Sequence, residues 1–371
     1  MISILELIDG GFIGGGQTHV LSVAGNLDKD KFSSVIAASG KGEFRELVLK
    51  NNFNFEEIEL PKIYGSKHLK VLNEIIQRNK TDIIHSHGGV AGMYARFYKK
   101  KYGNVKSVHT IHGIHYTHTK NYFRKFITQS IEQFLVQYTD KFICVSDADL
   151  FKAGEIKIID KSKTTVIKNG IDLNRFARKG KSPELMNRYG IKEKDTVIGN
   201  ISRFDFQKNQ RLIISNAAEI LSKYPDVRIL LAGDGKYLQE CKITAGESGF
   251  GGRIIFTGEI KDTEDHYSLF DIFVFPSLWE GLSISLIEAM ASSSCILASS
   301  IPANRELIQD NKNGMLFDLS VKGEFISKLE KLIENKNLRD ELSAKAFSDS
   351  KNFSEKLMTE KIQKEYIKLM T

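Results

Sequence analysis

With 41% hydrophobic and 27% charged residues over 371 positions, the chain reads as a soluble protein with apolar material for two domains or one large one. No apolar run approaches the ~20 residues that span a bilayer. Three cysteines (Cys144, Cys241, Cys295), each in or beside an apolar segment, build neither a disulfide framework nor a metal knuckle, which points to the reducing cytosol.

Residues 2–8 are expected to form an apolar strand; carrying Glu6 and Asp9 and lacking a basic start, the first residues read as a strand and not as a secretory signal. GGFIGGG follows at once. Glycines here, Gly15 and Gly16 included, let backbone amides approach a ligand, and a helix over THVLSVAGNL aims its N-terminus at the same point. The run is not a dinucleotide fingerprint, because His19 stands where the third glycine belongs and no acid closes a second strand at the proper distance. A plain structural turn is the alternative. Strands and helices then alternate: SSVIAAS, a helix near 43–51, a strand near 55–60, a helix over 67–79 and the strand DIIHSHGG. This is the pattern of a parallel sheet with crossover helices, in which ligands bind beyond the carboxyl ends of the strands. His85, His87 and Gly88 lie at one such end, and His109 and His112 at the next, after VKSVHTIHG. Six histidines between 85 and 118 raise the question of zinc. No cysteine or closely placed carboxylate joins them and the spacings fit no zinc pattern, so a polar wall for a sugar is the preferred reading and no metal site is assigned.

The whole +7 net charge falls within residues 1–170, and it is concentrated further. From Arg96 to Lys125 there are eight cations (Arg96, Lys99, Lys100, Lys101, Lys106, Lys120, Arg124, Lys125), no acid, and interleaved aromatics such as Tyr102, Tyr122 and Phe123. Such a stretch suits an anionic membrane surface or an anionic acceptor, or is a solvated face; no nucleic-acid-binding module accompanies it, so no nucleic acid is expected as a partner. The strand KFICVS ends in Ser146-Asp147-Ala148-Asp149. Asp-x-Asp can hold a nucleotide-bound metal, but Ser146 three residues before Asp149 reads more simply as a helix cap.

Asn169-Gly170 breaks the rhythm and, with the charged stretch up to Pro183, marks a hinge. A second alternating series follows: TVIGNIS, a helix from about Asn209, VRILLAGDG, a helix from Lys236, RIIFTGEI, a helix from Asp262, the stretch 271–298, and NGMLFD. Arg203 and Lys208 lie in a loop between strand and helix, where two cations and a helix N-terminus can neutralise a diphosphate or simply face solvent. The stretch from Asp271 to Ala298 organises this half. Its buried strand stops at Pro276, a short loop ends in Glu280-Gly281, and Ser283 can cap the helix that follows. Glu280 and Glu288 then face one cleft, with Gly281 and a helix N-terminus between them for a phosphate, which matches a sugar nucleotide; two solvated glutamates are the plainer alternative. Near the end, Met358, Ile362 and Tyr366 share one helical face.

Together these motifs resemble the glycosyltransferase family 4 group, and the likeness covers nearly the whole chain. It implies an α/β protein of the GT-B type, with two Rossmann-like domains facing a central cleft. Residues 1–169 plus 354–371 would bind the acceptor and residues 170–353 the nucleotide-sugar, the C-terminal helix crossing back to the N-terminal domain. GGGQTH resembles the family's N-terminal acceptor and phosphate loop, which places Gly15 and Gly16 in it. HTIHG resembles the segment whose histidine, here His112, lies near the reacting sugar carbon. Arg203 and Lys208 occupy the positions of the diphosphate-binding pair, and Glu280 with Glu288 match the E-x7-E signature. The resemblance implies that Glu288 holds the ribose, Glu280 the transferred sugar, and that Gly281 and Leu282 offer backbone amides. Ser283 stands where an aromatic or proline is frequent, and Gln17 where glutamate is. The implied enzyme is a retaining hexosyl- or N-acetylhexosaminyltransferase without cofactor or divalent metal: Arg203, Lys208 and helix dipoles stabilise the leaving diphosphate, and the acceptor hydroxyl attacks from the leaving-group side. The expected donor is a nucleotide-sugar, with UDP as carrier. The expected acceptor is a glycan or lipid-linked saccharide in bacterial surface polysaccharide or lipopolysaccharide synthesis. The expected location is the cytoplasm, peripherally at the inner face of the membrane through residues 96–125. Two other readings are a GT-B-fold nucleotide-sugar epimerase and a non-catalytic polyanion- or membrane-binding protein.

Overall fold

A computed structural model describes residues 1–177 and 180–371. The chain divides into two compact units, Met1–Gly170 with Glu355–Thr371, and Ile171–Ser354; each junction falls one residue later than the boundary read from the sequence.

In the first unit seven strands form one parallel sheet: β1 (Ile2–Ile8), β2 (Phe32–Ala38), β3 (Asn54–Glu57), β4 (Ile83–His87), β5 (Lys106–Ile111), β6 (Lys141–Cys144) and β7 (Thr164–Val166). Their order is β3-β2-β1-β4-β5-β6-β7. Strands β1, β2 and β6 are largely apolar because both faces of the sheet are covered, and alternate residues serve opposite faces. Leu5, Leu7 and Ile84 pack with Leu69, Leu72, Ile75, Tyr94 and Tyr98 of the helices Ser66–Arg78 and Gly89–Tyr102. Ile4, Ile83, Val108 and Ile143 pack on the other side with Met358, Ile362 and Tyr366 of the helix Glu355–Met370. β7 is short and polar, and the sequence reading passed over it.

The first helix starts at Gly15, not after Gln17, so Gly15 and Gly16 form its first turn and not the loop before it. Glycine is a poor helix former, but tertiary packing overrides that here. The Thr18 N–H donates to the Gly14 carbonyl at 2.9 Å, and a Cβ added to Gly16 would stand 3.3 Å from Ile8 Cδ1. The cap reading of the Asp-x-Asp segment holds: Ser146 Oγ accepts the Asp149 N–H at 3.0 Å, opening the helix Asp147–Glu155. Asp147 points outward, 3.6 Å from Lys168.

The second unit repeats the plan with β8 (Thr196–Ile201), β9 (Val227–Ala232), β10 (Ile254–Gly258), β11 (Ile272–Phe275), β12 (Cys295–Ser299) and β13 (Met315–Phe317), parallel throughout and ordered β10-β9-β8-β11-β12-β13. Ile198, Phe204, Ile229, Leu231, Val274 and Leu297 centre its core. Strand order reverses between β1 and β4 in one unit and between β8 and β11 in the other. The loops leaving such a strand pair part to opposite faces and open a crevice at the carboxyl ends.

Candidate active site

At the reversal point of the second unit, the loop after β8 carries Arg203 and Lys208, and the loop after β11 carries Glu280 and Gly281. The two loops are sewn together. Leu278 N–H donates to the Gln207 carbonyl at 2.8 Å, and Gln207 Nε2 donates to the Trp279 carbonyl at 2.8 Å and to Glu280 Oε2 at 3.2 Å. Lys208 Nζ donates to Glu280 Oε1 at 2.7 Å and lies 5.1 Å from the centre of the Phe275 ring. Both members of this ion pair are largely shielded from water, whereas the Arg203 side chain is 71% exposed and donates from Nε to Asp205 at 2.8 Å. Two glycines of the loop after β9 set the height of this platform. Gly233 and Gly235 have φ of +128° and +147°, and a Cβ on either would strike the carbonyl of Ser202 or Phe204, at 2.3 and 2.5 Å. The Phe204 N–H donates to the Asp234 carbonyl at 2.8 Å, tying the loop beneath Arg203 in place.

Ser283 caps the helix Ile284–Ala291, its Oγ accepting the Leu286 N–H at 3.3 Å, with Gly281 and Leu282 just ahead of the cap. Glu288 lies in the second turn, and its partner is not shared with Glu280: the Tyr267 hydroxyl donates to Glu288 Oε2 at 2.9 Å. Burial pushes the Glu288 carboxyl up to about 7, against the opposing pull of the Tyr267 hydrogen bond and the Arg175 guanidinium. Arg175 is itself held by Glu264 at 2.7 Å.

The first unit gathers a second cluster at its own reversal point. The β1–β4 register sets Glu6 beside His85 and Ile8 beside His87. His87 Nε2 donates to Glu6 Oε2 at 2.7 Å, and His87 Nδ1 meets His112 Nε2 at 3.2 Å. The Tyr366 hydroxyl donates to Glu6 Oε1 at 3.0 Å and accepts from His85 Nδ1 at 2.5 Å, while His85 Nε2 pairs with Thr110 Oγ1 at 2.6 Å. From the first helix His19 joins them, its Nδ1 3.0 Å from Asn169 Oδ1 and its ring edge-on to that of His112, centroids 4.7 Å apart. This overturns the expectation that no carboxylate joins the histidines: Glu6 is fully buried among them. Burial opposes its ionisation, and the His85 and His87 imidazoles outweigh that, holding the carboxyl well below its usual range. Burial also lowers the imidazoles, His19 to about 3 and His87 to about 4, with His112 well below its ordinary value. Sequence reading missed Glu6, His85 and Tyr366 as a unit, although a lone carboxylate flanked by Ile4, Leu5, Leu7 and Ile8 was the available signal, since a buried charge demands partners.

The basic stretch needs correction too. Arg96 is fully buried and donates to Glu132 at 2.8 Å, and Lys99 pairs with Asp140. Lys100, Lys101, Lys106, Lys120 and Arg124 remain exposed, with Lys125 half-buried. What stands out instead is the helix Tyr122–Leu135, whose start exposes Tyr122, Phe123 and Phe126 at 84%, 74% and 70%. Lys100 lies 4.6 Å over the Phe134 ring at the other end of that helix. Among the described residues, no helix is long and apolar enough to cross a membrane.

Paired doubly wound units are the architecture of GT-B glycosyltransferases. The crystal structure of HepE from Anabaena in complex with UDP matches this fold with a TM-score of 0.82 at 20% identity, covering 98% of this chain and 99% of that one. Residues 13–175 match the model of Glycosyltransferase Family 4, and residues 181–349 that of Glycosyl transferases group 1. The chain belongs to the glycosyltransferase family 4 group and is a glycosyltransferase, which sets aside the epimerase and non-catalytic readings. The UDP-Gal:alpha-D-GlcNAc-diphosphoundecaprenol alpha-1,3-galactosyltransferase of Escherichia coli is 28% identical over 280 residues, 74% of this chain and 72% of that protein. Putative glycosyltransferase EpsD of Bacillus subtilis is 26% identical over 289 residues, 76% of each.

Proposed function

We propose that the protein is a retaining glycosyltransferase that moves a hexosyl or N-acetylhexosaminyl group from a UDP-sugar to a lipid-linked saccharide during assembly of a bacterial surface glycan. The second unit binds the donor and the first the acceptor, and no divalent metal is needed at the diphosphate. The observation that carries this reading is the shielded Lys208–Glu280 pair at the reversal point of the second sheet. As the bond from the anomeric carbon to the diphosphate oxygen breaks, charge develops on that oxygen, where Lys208, Arg203 and the dipole of the helix capped by Ser283 stabilise it. Glu280, released from Lys208, accepts from hydroxyls of the sugar, and Glu288 from those of the ribose. The acceptor oxygen bonds to the anomeric carbon on the face the diphosphate leaves, and its proton passes to the departing phosphate. In this reading His112, in the HTIHG segment, lies near the reacting sugar carbon. The UDP-bound structural neighbour and the undecaprenol-linked substrate in the E. coli relative's name support the donor and acceptor classes. UDP release from UDP-sugars should depend on an undecaprenyl-diphosphate-linked saccharide and survive EDTA, and NMR of the product should show the donor's anomeric configuration. Inversion, or a manganese requirement, would overturn the mechanism and return Asp147 and Asp149 to consideration as ligands.

The Glu288 environment predicts a pH dependence. A carboxyl raised to about 7 is protonated below that value and accepts two ribose hydroxyls well only when ionised. Affinity for a UDP-sugar, whose diphosphate does not titrate there, should therefore rise about tenfold between pH 6 and 8. Glu288→Gln should flatten the profile and cost about 1.5–3 kcal/mol, tenfold or more in affinity, at pH 8. A sloping profile in the variant, read by calorimetry, would remove Glu288 from the ribose.

The exposed aromatics of 122–126 beside Lys120, Arg124 and Lys125 support peripheral attachment to the anionic inner face of the cytoplasmic membrane. At about 1 kcal/mol per cation near such a surface, three engaged cations give about 3 kcal/mol before any ring inserts. Replacing Tyr122, Phe123 and Phe126 with serine should release the protein from anionic vesicles at fixed ionic strength, with transfer to a soluble acceptor retained. Failure of the wild type to sediment with the vesicles at low salt would end the membrane reading.

A further inference from the structure

The cluster in the first unit has a geometry that sugar binding does not require. His19, His87 and His112 each offer one ring nitrogen, and the three nitrogens lie within 4.8 Å of one another. The 3.2 Å between His87 Nδ1 and His112 Nε2 is close to the edge of about 3.3 Å expected when nitrogens sit tetrahedrally at about 2.0–2.1 Å from zinc. The tautomers are set from behind. Glu6 accepts from the Tyr366 hydroxyl on one carboxyl oxygen and faces His87 Nε2 at 2.7 Å with the other, which sets the His87 proton on Nε2 and turns a lone pair on Nδ1 toward His112. Asn169 Oδ1 holds the His19 proton on Nδ1. His19 Nε2, on a side chain 1% exposed, is left buried with no hydrogen-bond partner. An orphaned imidazole nitrogen of this kind is costly and calls for an occupant.

We propose that His19, His87 and His112 form a binding site for a late first-row divalent ion, Zn²⁺ above all, with Glu6 and Asn169 orienting two of the three ligands. Three imidazoles with a fourth position open suit zinc, and a carboxylate behind a ligating histidine is the arrangement that raises its basicity and fixes its ring. Only His112 must change: it moves its proton from Nε2 to Nδ1, with no net proton lost. His112 is also the half-buried member of the three and provides the way in. The neighbouring trio Glu6, His85 and His87 is equally close, but all three are fully buried and engaged with Tyr366, Thr110 and each other, which leaves no open position. The ion is not one that transfer needs. It withdraws His112 from substrate, so zinc acts as an inhibitor, and this last step alone rests on the role proposed for His112.

The test uses the full chain stripped of metal with a chelator. Calorimetry should show one Zn²⁺ bound per chain, and Co²⁺ should give the intense visible absorption of a four-coordinate centre. His112→Ala and His19→Ala should each abolish that absorption with the circular dichroism spectrum unchanged, His68→Ala should keep it, and Glu6→Gln should weaken binding about 10–100-fold. Where a variant does not fold, wild-type imidazole NMR signals of His19 and His112 must shift on adding Zn²⁺. Absence of saturable zinc binding, still imidazole signals, or binding that survives both alanine variants overturns the site. Stoichiometric binding with undiminished transfer leaves the site standing and refutes the role given to His112.

Discussion

Lys208→Ala is expected to lower kcat by about 10²–10³-fold, the loss seen when one preorganised donor to a developing oxyanion is removed. The ammonium is held in position by Glu280 and the Phe275 ring, so its contribution to the departing diphosphate costs little reorganisation. Among the described residues, its removal leaves Glu280, 8% exposed, with Gln207 as its remaining side-chain partner. Arg203→Ala should cost less, since that side chain is mostly in water and must be drawn in by the substrate. EDTA should not lower the activity of either the wild type or the Arg203 variant, because on the proposed mechanism the two cations do the work of a divalent ion at the diphosphate. Steady-state kinetics with UDP release as the readout decides it. Near-wild-type turnover in Lys208→Ala would show that the pair is only structural.

Removing residues 355–371 should prevent the first unit from folding. Met358, Ile362 and Tyr366 are 2%, 0% and 0% exposed, in one cluster with strands β1, β4, β5 and β6. Burying each is worth about 1.5–3 kcal/mol, and a whole domain is stable by only about 5–15 kcal/mol. The loss also takes the Tyr366 hydroxyl from Glu6 and His85, leaving polar groups at the centre of the sheet short of partners at about 1–3 kcal/mol each. Calorimetry of the truncated protein should show the transition of Ile171–Ser354 without that of the first unit. Tyr366→Phe is the milder version: a folded protein with a lowered Tm. If the truncated protein keeps two transitions and full activity, the tail is not part of the first unit.

Much of this architecture could be read in advance where signals are local. Apolar β-branched runs ending at Gly, Pro or Asp marked the strands, and Ser146 and Ser283 marked helix starts, because capping depends on residues three apart. The Lys208–Glu280 pair was legible only as two motifs, since 72 residues separate them. Charge was misread where its partner lay beyond the stretch considered: Arg96 finds Glu132 and Lys99 finds Asp140, 36 and 41 residues on. Glu6 was weighed as a charge at the N-terminus, while its meaning comes from strand register, which sets it beside His85. Gly15 and Gly16 looked like loop residues by propensity and are helical by packing.

The helix Glu355–Met370 closes the sheet of the first unit but follows the whole of the second in the chain. On the ribosome, residues 1–170 emerge first and must wait for some two hundred more residues before Tyr366 can reach Glu6. Domains ordinarily fold in order of synthesis; here the continuous second unit can finish its core while the first still exposes the face of β1, β4 and β5 that the last helix will cover. The period of greatest vulnerability to aggregation and proteolysis during synthesis thus belongs to the part of the enzyme made first.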